Sequence, residues 1–406
     1  MSNSIEIVGR LAIGKETEKF KPFKKELGKN NKKWENVTLN MTAIAGDNRH
    51  FLEVRDGHWA DGSGKLYLFS KGENGAKGSS FVIDFADRFN EENIEKTAMF
   101  KKFIVDLEEP NRRKDLEKAV EEFKKGTLTD ERIAELNIVG SPEEELKKSK
   151  AKRKEFLSGI DFAEFLHKVI KSGKFSDRMF TITGDKVFSE YNGKFREVLA
   201  PKRIYLASKD AVPKSEGTLD LFFNQDSIDE SRLLSEGLVD INAFVKVYDN
   251  NRKTDIACPV KVTLDRSKDE ENEKLKKIND ILLNQFTVLD NSWKQLGVKV
   301  KMLNGSQRVE ITEDMLNEFQ KEMIEIGAMT LEDVARELGG DVYGDPIQET
   351  IVFNVSRGFA KGRVDTAFSD EDFRLPDSIN INNNTNEEST VLEDDEDDIF
   401  AGLDIE

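Results

Sequence analysis

The feature that most constrains the fold of this chain is a β-hairpin signal at Asn192-Gly193, within residues 178–207. Both residues tolerate the positive φ angles of a two-residue type I′ turn, and runs of β-prone residues flank them. The turn predicts the register of the two strands, with these pairs directly opposite each other: Tyr191 and Lys194, Ser189 and Arg196, Phe188 and Glu197. The tip therefore carries cations and aromatic rings, not the plain apolar stripe of a core strand.

The two faces of this hairpin predict an arm that leaves its sheet. Tyr191, Lys194 and Arg196 share one face, whereas Phe188 and Phe195 share the other. Inward-facing anchors are predicted lower on the strands, at Phe180, Ile182, Ile204 and Leu206. The alternative interpretation is a solvated surface hairpin without a ligand.

Length and composition exclude several classes of protein. A chain of 406 residues is too long for one ordinary core, so two domains plus accessory segments are expected. No apolar run approaches a membrane span and the N-terminus lacks a secretory pattern, so a cytoplasmic location is expected. Cys258 is the single cysteine, which excludes an intramolecular disulfide and any multi-cysteine metal site. We expect Cys258 to be a small buried apolar residue.

Charge is strongly segregated along the chain. The formal net charge is −17, but residues 369–406 hold 14 acidic side chains and one basic side chain. The body is therefore close to −4. Residues 147–203 contain 15 Lys or Arg against 7 Asp or Glu, and residues 15–33 contain eight lysines against three glutamates. A nearly neutral body with basic stretches and an acidic tail differs from a uniformly acidic protein.

The order of predicted elements in the first half is that of an OB-fold barrel. Residues 5–13, 37–42 and 51–55 are predicted strands, because apolar and polar residues alternate in them. A charged, helical insertion is expected at about 90–158, followed by a helix at 161–172 and then the two hairpin strands. Three strands, a helix and two further strands form an OB fold.

Two basic loops coincide with the loops that flank the ligand face of an OB fold. Residues 14–35 lie between the first and second predicted strands, and residues 184–200 lie between the fourth and fifth. Both loops interleave cations with aromatic rings. This coincidence favours a ligand-binding role for the hairpin over the solvated alternative.

The second half of the chain predicts another β-rich domain. Strands are expected at 219–223, 239–248, 255–264 and 350–355, helices at 268–286, 313–326 and 330–338, and a strand pair across a turn at 303–306. This domain is a candidate for a second OB-like barrel. The predicted organisation is mainly β with α insertions: an OB-fold domain at 1–208, a second α+β domain at 209–368 and a disordered acidic tail at 369–406.

Single-stranded nucleic acid requires cations along its phosphates and flat rings for its exposed bases. The candidate phosphate contacts are Lys24, Lys25, Lys29, Lys32, Lys33, Lys194, Arg196, Lys202 and Arg203. The candidate stacking residues are Phe20, Phe23, Trp34, Tyr191, Phe195 and Tyr205. A third basic and aromatic segment adds Arg357, Phe359, Lys361 and Arg363, with a plain basic loop as the alternative. Trp34 is the preferred ring because polar and basic residues surround it.

The sequence contains no phosphate-binding loop, no dinucleotide glycine fingerprint and no Cys/His metal set, so neither an enzyme nor a cofactor is expected. One group of residues argues for a metal-dependent nuclease or recombination factor: Asp47, His50, Asp56, His58 and Asp61. These residues lie at turns, where Asp and Asn form local hydrogen bonds. The nuclease is therefore the enzyme alternative, and no metal site is predicted.

The segment from Glu393 to Phe400 resembles the acidic, Phe-tipped tails of bacterial and phage single-stranded DNA-binding proteins. The resemblance implies an OB-fold body that binds single strands without sequence preference, with a tail that recruits replication, recombination and repair enzymes. In its size, its tandem domains and its Lys-rich loops, the chain most resembles a phage-encoded member of this family. The resemblance assigns partner binding to Asp397, Asp398, Ile399 and Phe400. An acidic scaffold or DNA-mimic protein is the interaction-protein alternative.

The tail also departs from the bacterial pattern. No proline precedes Phe400, and residues 401–406 follow it. Recognition of a terminal Phe carboxylate is therefore not expected in this form, and Leu403 or Ile405 are candidates to share the role.

Overall fold

The computed structural model shows a mainly β protein in which two barrels share one continuous sheet. It describes residues 3–18, 20–28, 33–72, 77–191, 193–249, 253–289, 292–308, 316–326, 329–330, 343–356, 363–364 and 373. No helix within these ranges is long and apolar enough to cross a membrane. The predicted fold class, mainly β with α insertions, is confirmed.

Five strands of the first half close into a barrel. The elements of this half are β1 (Ser4–Ala12), β2 (Phe23–Leu27), β3 (Trp34–Ala45), β4 (Asn48–Trp59), β5 (Lys65–Phe69), β6 (Ser80–Asp84), α1 (Glu91–Lys96), β7 (Phe103–Asp106), α2 (Arg112–Lys125), α3 (Asp130–Glu135), α4 (Pro142–Ala151), β8 (Arg153–Phe156), α5 (Gly159–Lys171), β9 (Phe180–Tyr191) and β10 (Lys194–Leu206). β1 pairs with β3, β3 with β4, β4 in parallel with β10, β10 with β9, and β9 with β1. With α5 between the third and fourth barrel strands, this is OB-fold topology.

Alternation along the strands separates the barrel interior from its outer face. On β3, Val37 and Leu39 are fully buried, whereas Thr38 between them is only half-buried. α5 packs against β3 and β4 through an apolar stripe that includes Phe162 and Leu166, both almost completely buried. The helix and the inner strand faces thus form the core, and the outer positions of β3 and β4 stay outside it.

The sequence predicted a helical insertion at about 90–158. The structure shows that this insertion also contains two short strands. β7 and β8 pair with each other, and β7 joins the barrel sheet in parallel with β10. Both strands have only four residues, too few for a clear alternation. Two lysines at the start of the basic stretch 147–203 form local ion pairs: Lys148 contacts Glu145 at 2.8 Å, and Lys152 contacts Glu108 at 3.1 Å.

The second half repeats the OB topology. Its elements are β11 (Lys214–Phe223), β12 (Ile228–Asp229), α6 (Leu233–Glu236), β13 (Leu238–Asp249), β14 (Thr254–Asp265), α7 (Glu273–Phe286), β15 (Lys294–Arg308), α8 (Glu318–Glu325), β16 (Tyr343–Val355) and β17 (Arg363–Val364). β11 pairs with β13, β13 with β14, β14 in parallel with β16, β16 with β15, and β15 with β11. α7 again lies between the third and fourth barrel strands. Cys258 is buried on β14.

The turn predicted at 303–306 is wrong, because β15 runs through these residues without interruption. A Cβ atom on Gly305 would stand 2.2 Å from the carbonyl oxygen of Asp47 in the first barrel. The N–H of Asn304 donates to Oδ1 of Asn48 at 2.9 Å. A close approach between the two barrels therefore accounts for the glycine in this strand.

The two barrels are joined by backbone pairing as well as by side chains. β1 pairs antiparallel with β11, from Ser4 opposite Thr218 to Val8 opposite Lys214. His50 Nε2 lies 2.8 Å from Ser215 Oγ, with the histidine fully buried. One continuous set of buried apolar residues extends through both barrel interiors. The barrels therefore pack as one body.

The predicted hairpin register is confirmed, with Tyr191 opposite Lys194 and Phe188 opposite Glu197. Gly193 has a φ of 77°, as the turn requires. The interpretation as an arm that leaves its sheet is wrong, because β9 also packs against β13 and β14 and Phe188 is only 4% exposed. The second barrel, whose position the local pattern does not encode, covers this part of the hairpin.

Candidate nucleic-acid interface

The outer positions of β3 and β4 form a surface that combines aromatic rings with cations. The register places Trp34 opposite Trp59, Thr38 opposite Arg55, and Thr42 opposite Phe51. Paired side chains with a period of two share one side of the sheet. We call this surface the β3–β4 face, and its members are Trp34, Asn36, Thr38, Asn40, Thr42, Arg49, Phe51, Glu53, Arg55, Gly57 and Trp59.

Trp34 lies against the sheet at one end of the β3–β4 face. A Cβ atom on Gly57, the residue diagonal to it, would stand 2.5 Å from Trp34 Nε1, so the indole occupies the space above this glycine. The indole N–H donates to Asn36 Oδ1 at 3.0 Å, and the ring contacts Trp59 edge-on, with centroids 5.4 Å apart. Trp34 is thus held in one orientation while remaining partly exposed.

Phe51 is the exposed ring in the other half of the face, with 52% of its surface accessible. Its neighbour Glu53 is buried and accepts a 2.7 Å hydrogen bond from Arg196 Nη2 of β10. The hairpin thereby contributes a half-exposed guanidinium to the edge of the face, and this guanidinium also neutralises the buried carboxylate.

Sequence reasoning missed the rings and cations that β4 places on this surface: Arg49, Phe51, Arg55 and Trp59. The predicted third strand ended at Arg55, whereas β4 continues to Trp59. Extending the alternation from Phe51 by steps of two would have reached Arg55 and Trp59 on one side. Asp56 and Gly57 weakened that signal because both residue types are unfavourable in strands.

The loop between β1 and β3 places fewer of its predicted residues on the β3–β4 face than the sequence suggested. β2 pairs with β3, so that Lys24 lies opposite Thr38 and continues the row that ends at Arg55. Its neighbours face α5: Lys25 forms an ion pair with Glu164, and the ring of Phe23 stacks on His167 at 4.7 Å between centroids.

Other predicted residues of this region remain at the surface. Phe20 is 37% exposed, and its ring lies over Gly14. Lys33 is exposed immediately before Trp34.

The remaining predicted hairpin residues lie at the tip, against the core or in contact with other parts of the first barrel. Lys194 is exposed at the tip, and Phe195 is partly buried against the core. Lys202 forms an ion pair with Asp185, and Arg203 Nη2 donates to the carbonyl of Met99 at 3.0 Å.

Tyr205 faces a separate cavity of about 1030 Å³, lined also by Val8 and Thr181. Burial raises the pKa of Tyr205. Trp34 is not among the residues that line this cavity.

Several predicted ligands fall outside the described residues: Lys29, Lys32, Arg357, Phe359, Lys361, Asp397, Asp398, Ile399 and Phe400. For Tyr191 and Arg363 the structure describes the backbone in β9 and β17 and not the side chain. Their assignment as ligands stays a prediction, as does disorder in the acidic tail.

The five residues of the nuclease alternative do not converge. Asp56 accepts the N–H groups of Gly57 and Gly159, at 2.8 and 2.7 Å, and burial raises its pKa. Asp61 caps the N–H of Ser63 in an exposed turn, whereas His58 stacks on Phe85. Within the described ranges, no group of three or more His, Cys, Asp or Glu side chains has the arrangement of a metal site.

No protein-family profile matches the chain, and no curated protein sequence matches it. Among solved structures, a deletion mutant of the single-stranded DNA binding protein from Thermus aquaticus aligns with 74% of this chain and 86% of its own. The alignment has 9% sequence identity and a TM-score of 0.25. A score of this size does not establish a common fold, so the OB assignment of both barrels rests on their strand pairing alone.

Proposed function

We propose that this chain binds single-stranded DNA without sequence preference, and that the β3–β4 face is its principal contact surface. The observation that carries the proposal is the fixed Trp34 indole beside Trp59, on the same face as exposed Phe51 and the Lys24–Arg55 row. Exposed rings and cations on the outer face of an OB barrel are the two groups that a single strand requires.

The geometry suits an unpaired strand better than a duplex. Bases of a single strand are free to stack on Trp34 and Phe51, at about 1–3 kcal/mol for each stacked base. Lys24 and Arg55 lie between those rings in the register and are placed for phosphates. In the described part of the chain the face is built from strands β3 and β4, whereas the commonest duplex readers place a helix in the major groove. Contacts to the phosphates and to the flat faces of the bases do not distinguish one base from another, so we expect no sequence preference.

We also propose that the acidic tail recruits replication or recombination proteins of a phage, as the resemblance implies. The support is the sequence at 393–400, in which Ile399 and Phe400 follow six acidic residues. Two apolar side chains after a run of carboxylates suit a small hydrophobic pocket rimmed by Arg or Lys. Phe400→Ala should abolish co-purification of such enzymes with the full chain while leaving DNA affinity unchanged.

The proposal is tested by fluorescence anisotropy with a labelled oligothymidylate of about 30 nucleotides, long enough for two OB folds. Matched duplex DNA and single-stranded RNA serve as competitors. The single strand should bind more tightly than the duplex, and its affinity should fall steeply with salt because counterions are released. Equal affinity for duplex, or an affinity insensitive to salt, would overturn the proposal.

A further inference from the structure

The hairpin formed by β5 and β6 is a two-stranded sheet of its own, and it follows β4 in the chain. Its inner side packs on the first barrel, where Leu68 is 5% exposed and Leu66 contacts the core. Its outer side carries three opposed pairs: Lys65 with Asp84, Tyr67 with Val82, and Phe69 with Ser80. We call this outer side the β5–β6 face.

Rings and apolar side chains adjoin each other on the β5–β6 face. Tyr67 is 61% exposed and Val82 is 48% exposed. Phe100, which is 55% exposed, contacts the ring of Phe69 with 5.5 Å between centroids. A row of rings therefore extends from Tyr67 through Phe69 to Phe100. Adjoining exposed apolar side chains mark a contact surface, whereas single ones need no explanation.

Lysines flank this row of rings. The two segments that carry the rings, 65–71 and 96–101, contain four lysines and no acidic residue. Lys65 precedes the row and Lys101 follows it, and both are exposed. Asp84 is the one acidic residue among the three opposed pairs. Rings among cations are the combination that single-stranded nucleic acid binds, whereas contact surfaces between proteins are depleted in lysine.

The β5–β6 hairpin begins at the end of the β3–β4 face where Trp34 and Trp59 lie. Only the turn 60–64 separates Trp59 from Lys65 in the chain. A Cβ atom on Gly64 would stand 3.1 Å from Trp59 Cδ1, so the indole lies against the residue that precedes β5. A single strand that leaves the β3–β4 face over Trp59 therefore meets this hairpin next.

We propose that the β5–β6 face extends the single-strand site beyond the β3–β4 face, with Tyr67 as its base-stacking platform and the flanking lysines as phosphate contacts. This inference rests on the proposed binding of single-stranded DNA by the β3–β4 face. Tyr67 is the platform because its flat ring is the most exposed of the row. The hairpin lies outside the five barrel strands, so this contact lengthens the strand that the first barrel binds.

The test uses full-length protein labelled with 3-fluorotyrosine and followed by fluorine NMR during titration with the oligothymidylate. The chain has five tyrosines, and the Tyr67→Phe variant identifies the Tyr67 resonance. This resonance should shift as DNA is added, with the same midpoint as the anisotropy signal. The Tyr205 resonance, identified in the same way, should not shift, because that ring lines the separate cavity.

The affinity for the oligothymidylate gives a second measurement. Tyr67→Ala should weaken binding about tenfold, the effect of one stacking contact. Tyr67→Phe keeps a flat ring and should bind as the unmodified chain does. Phe319→Ala is the matched control, because it removes a ring that is 64% exposed on α8, and it should leave the affinity unchanged.

The outcomes separate this inference from the proposed function. If the oligothymidylate binds while the Tyr67 resonance does not shift, or if Tyr67→Ala binds as tightly as the unmodified chain, the inference fails and the proposed function stands. The inference also fails if the resonance shifts with protein concentration in the absence of DNA, since a second copy of the chain then covers the face. If the oligothymidylate does not bind at all, the proposed function fails, and with it the extended site.

Discussion

Trp34 and Gly57 illustrate how single residues prepare the β3–β4 face. An indole on a strand surface normally has several accessible rotamers, and ordering it on a ligand costs free energy. Here the missing Cβ of Gly57, the Asn36 amide and the edge of Trp59 hold the ring before any ligand arrives. We therefore expect part of the binding energy to depend on a glycine that contacts no ligand.

Gly57→Ala should displace the Trp34 indole, because the new Cβ would stand 2.5 Å from its Nε1. Single-strand affinity should fall about tenfold, the loss of one good stacking contact. The measurement is anisotropy with the oligothymidylate, combined in a double-mutant cycle with Trp34→Ala. In the Trp34→Ala background the glycine substitution should cost nothing further, and additive losses would contradict the role assigned to Gly57.

Phe51 allows the ring contribution to be separated from general surface apolarity. Phe51→Ala should weaken single-strand binding by about 1–3 kcal/mol if the ring stacks on a base. Phe123→Ala is the matched control, since both phenylalanines are 52% exposed and Phe123 lies on α2 in the insertion. Anisotropy on both variants decides the matter, and equal effects of the two substitutions would exclude a specific role for Phe51.

At the level of elements, Asp56 connects β4 to the start of α5. Its carboxylate accepts the N–H of Gly159 at 2.7 Å and lies 3.4 Å from the hydroxyl of Ser158, the N-cap residue. An anion at a helix N-terminus satisfies a backbone donor and interacts favourably with the helix dipole. The carboxylate therefore fixes the helix that packs behind the β3–β4 face, which is a structural role.

Asp56→Ala should destabilise the folded chain by about 1–3 kcal/mol, because the buried N–H of Gly159 loses its acceptor. Asp61→Ala is the control from the same group of acidic residues, and it should have a smaller effect because Asp61 lies in an exposed turn. Urea unfolding measures both variants. A loss of magnesium-dependent DNA cleavage in Asp56→Ala, without loss of stability, would support the nuclease alternative instead.

At the scale of the whole molecule, His50 makes the junction between the barrels sensitive to pH. Burial, assisted by the nearby Lys186, lowers the pKa of His50 from 6.5 to about 4. The folded state therefore keeps His50 neutral in a pH range where the unfolded chain takes up a proton. The contribution of neutral His50 to the free energy of unfolding is fully present above pH 6.5. It is lost as the pH decreases towards about 4.

The expected loss of unfolding free energy from this one group is about 2 kcal/mol between pH 7 and pH 5. His50→Gln should remove that component, since a glutamine amide has no proton to gain in this range. Urea unfolding of both proteins at the two pH values gives the difference, and carboxylates that titrate nearby cancel in the comparison. Parallel pH profiles of the two proteins would show that His50 is not the titrating group.

The sequence by itself determined the features that depend on neighbours along the chain. Alternation placed β1, β3, β13 and β14, and Asn192-Gly193 set the register of β9 and β10, because a two-residue turn leaves no freedom in pairing. The succession of strands and helix then predicted the OB topology of the first barrel. The polar and basic residues around Trp34 in the sequence made its ring the preferred candidate for stacking on a base.

Tertiary structure alone decided which faces stay uncovered, because a period of two separates two sides of a strand without saying what packs on each. Phe23 and Lys25 are residue types that bind nucleic acid, and the sequence predicted both as ligands. In the structure α5 covers the ring of Phe23 and forms an ion pair with Lys25. Gly305 predicted a turn in the sequence. In the structure it lies within β15, where the backbone of the first barrel approaches it closely. Phe373 stacks on Trp293 across 80 residues of sequence, a contact that no local pattern encodes.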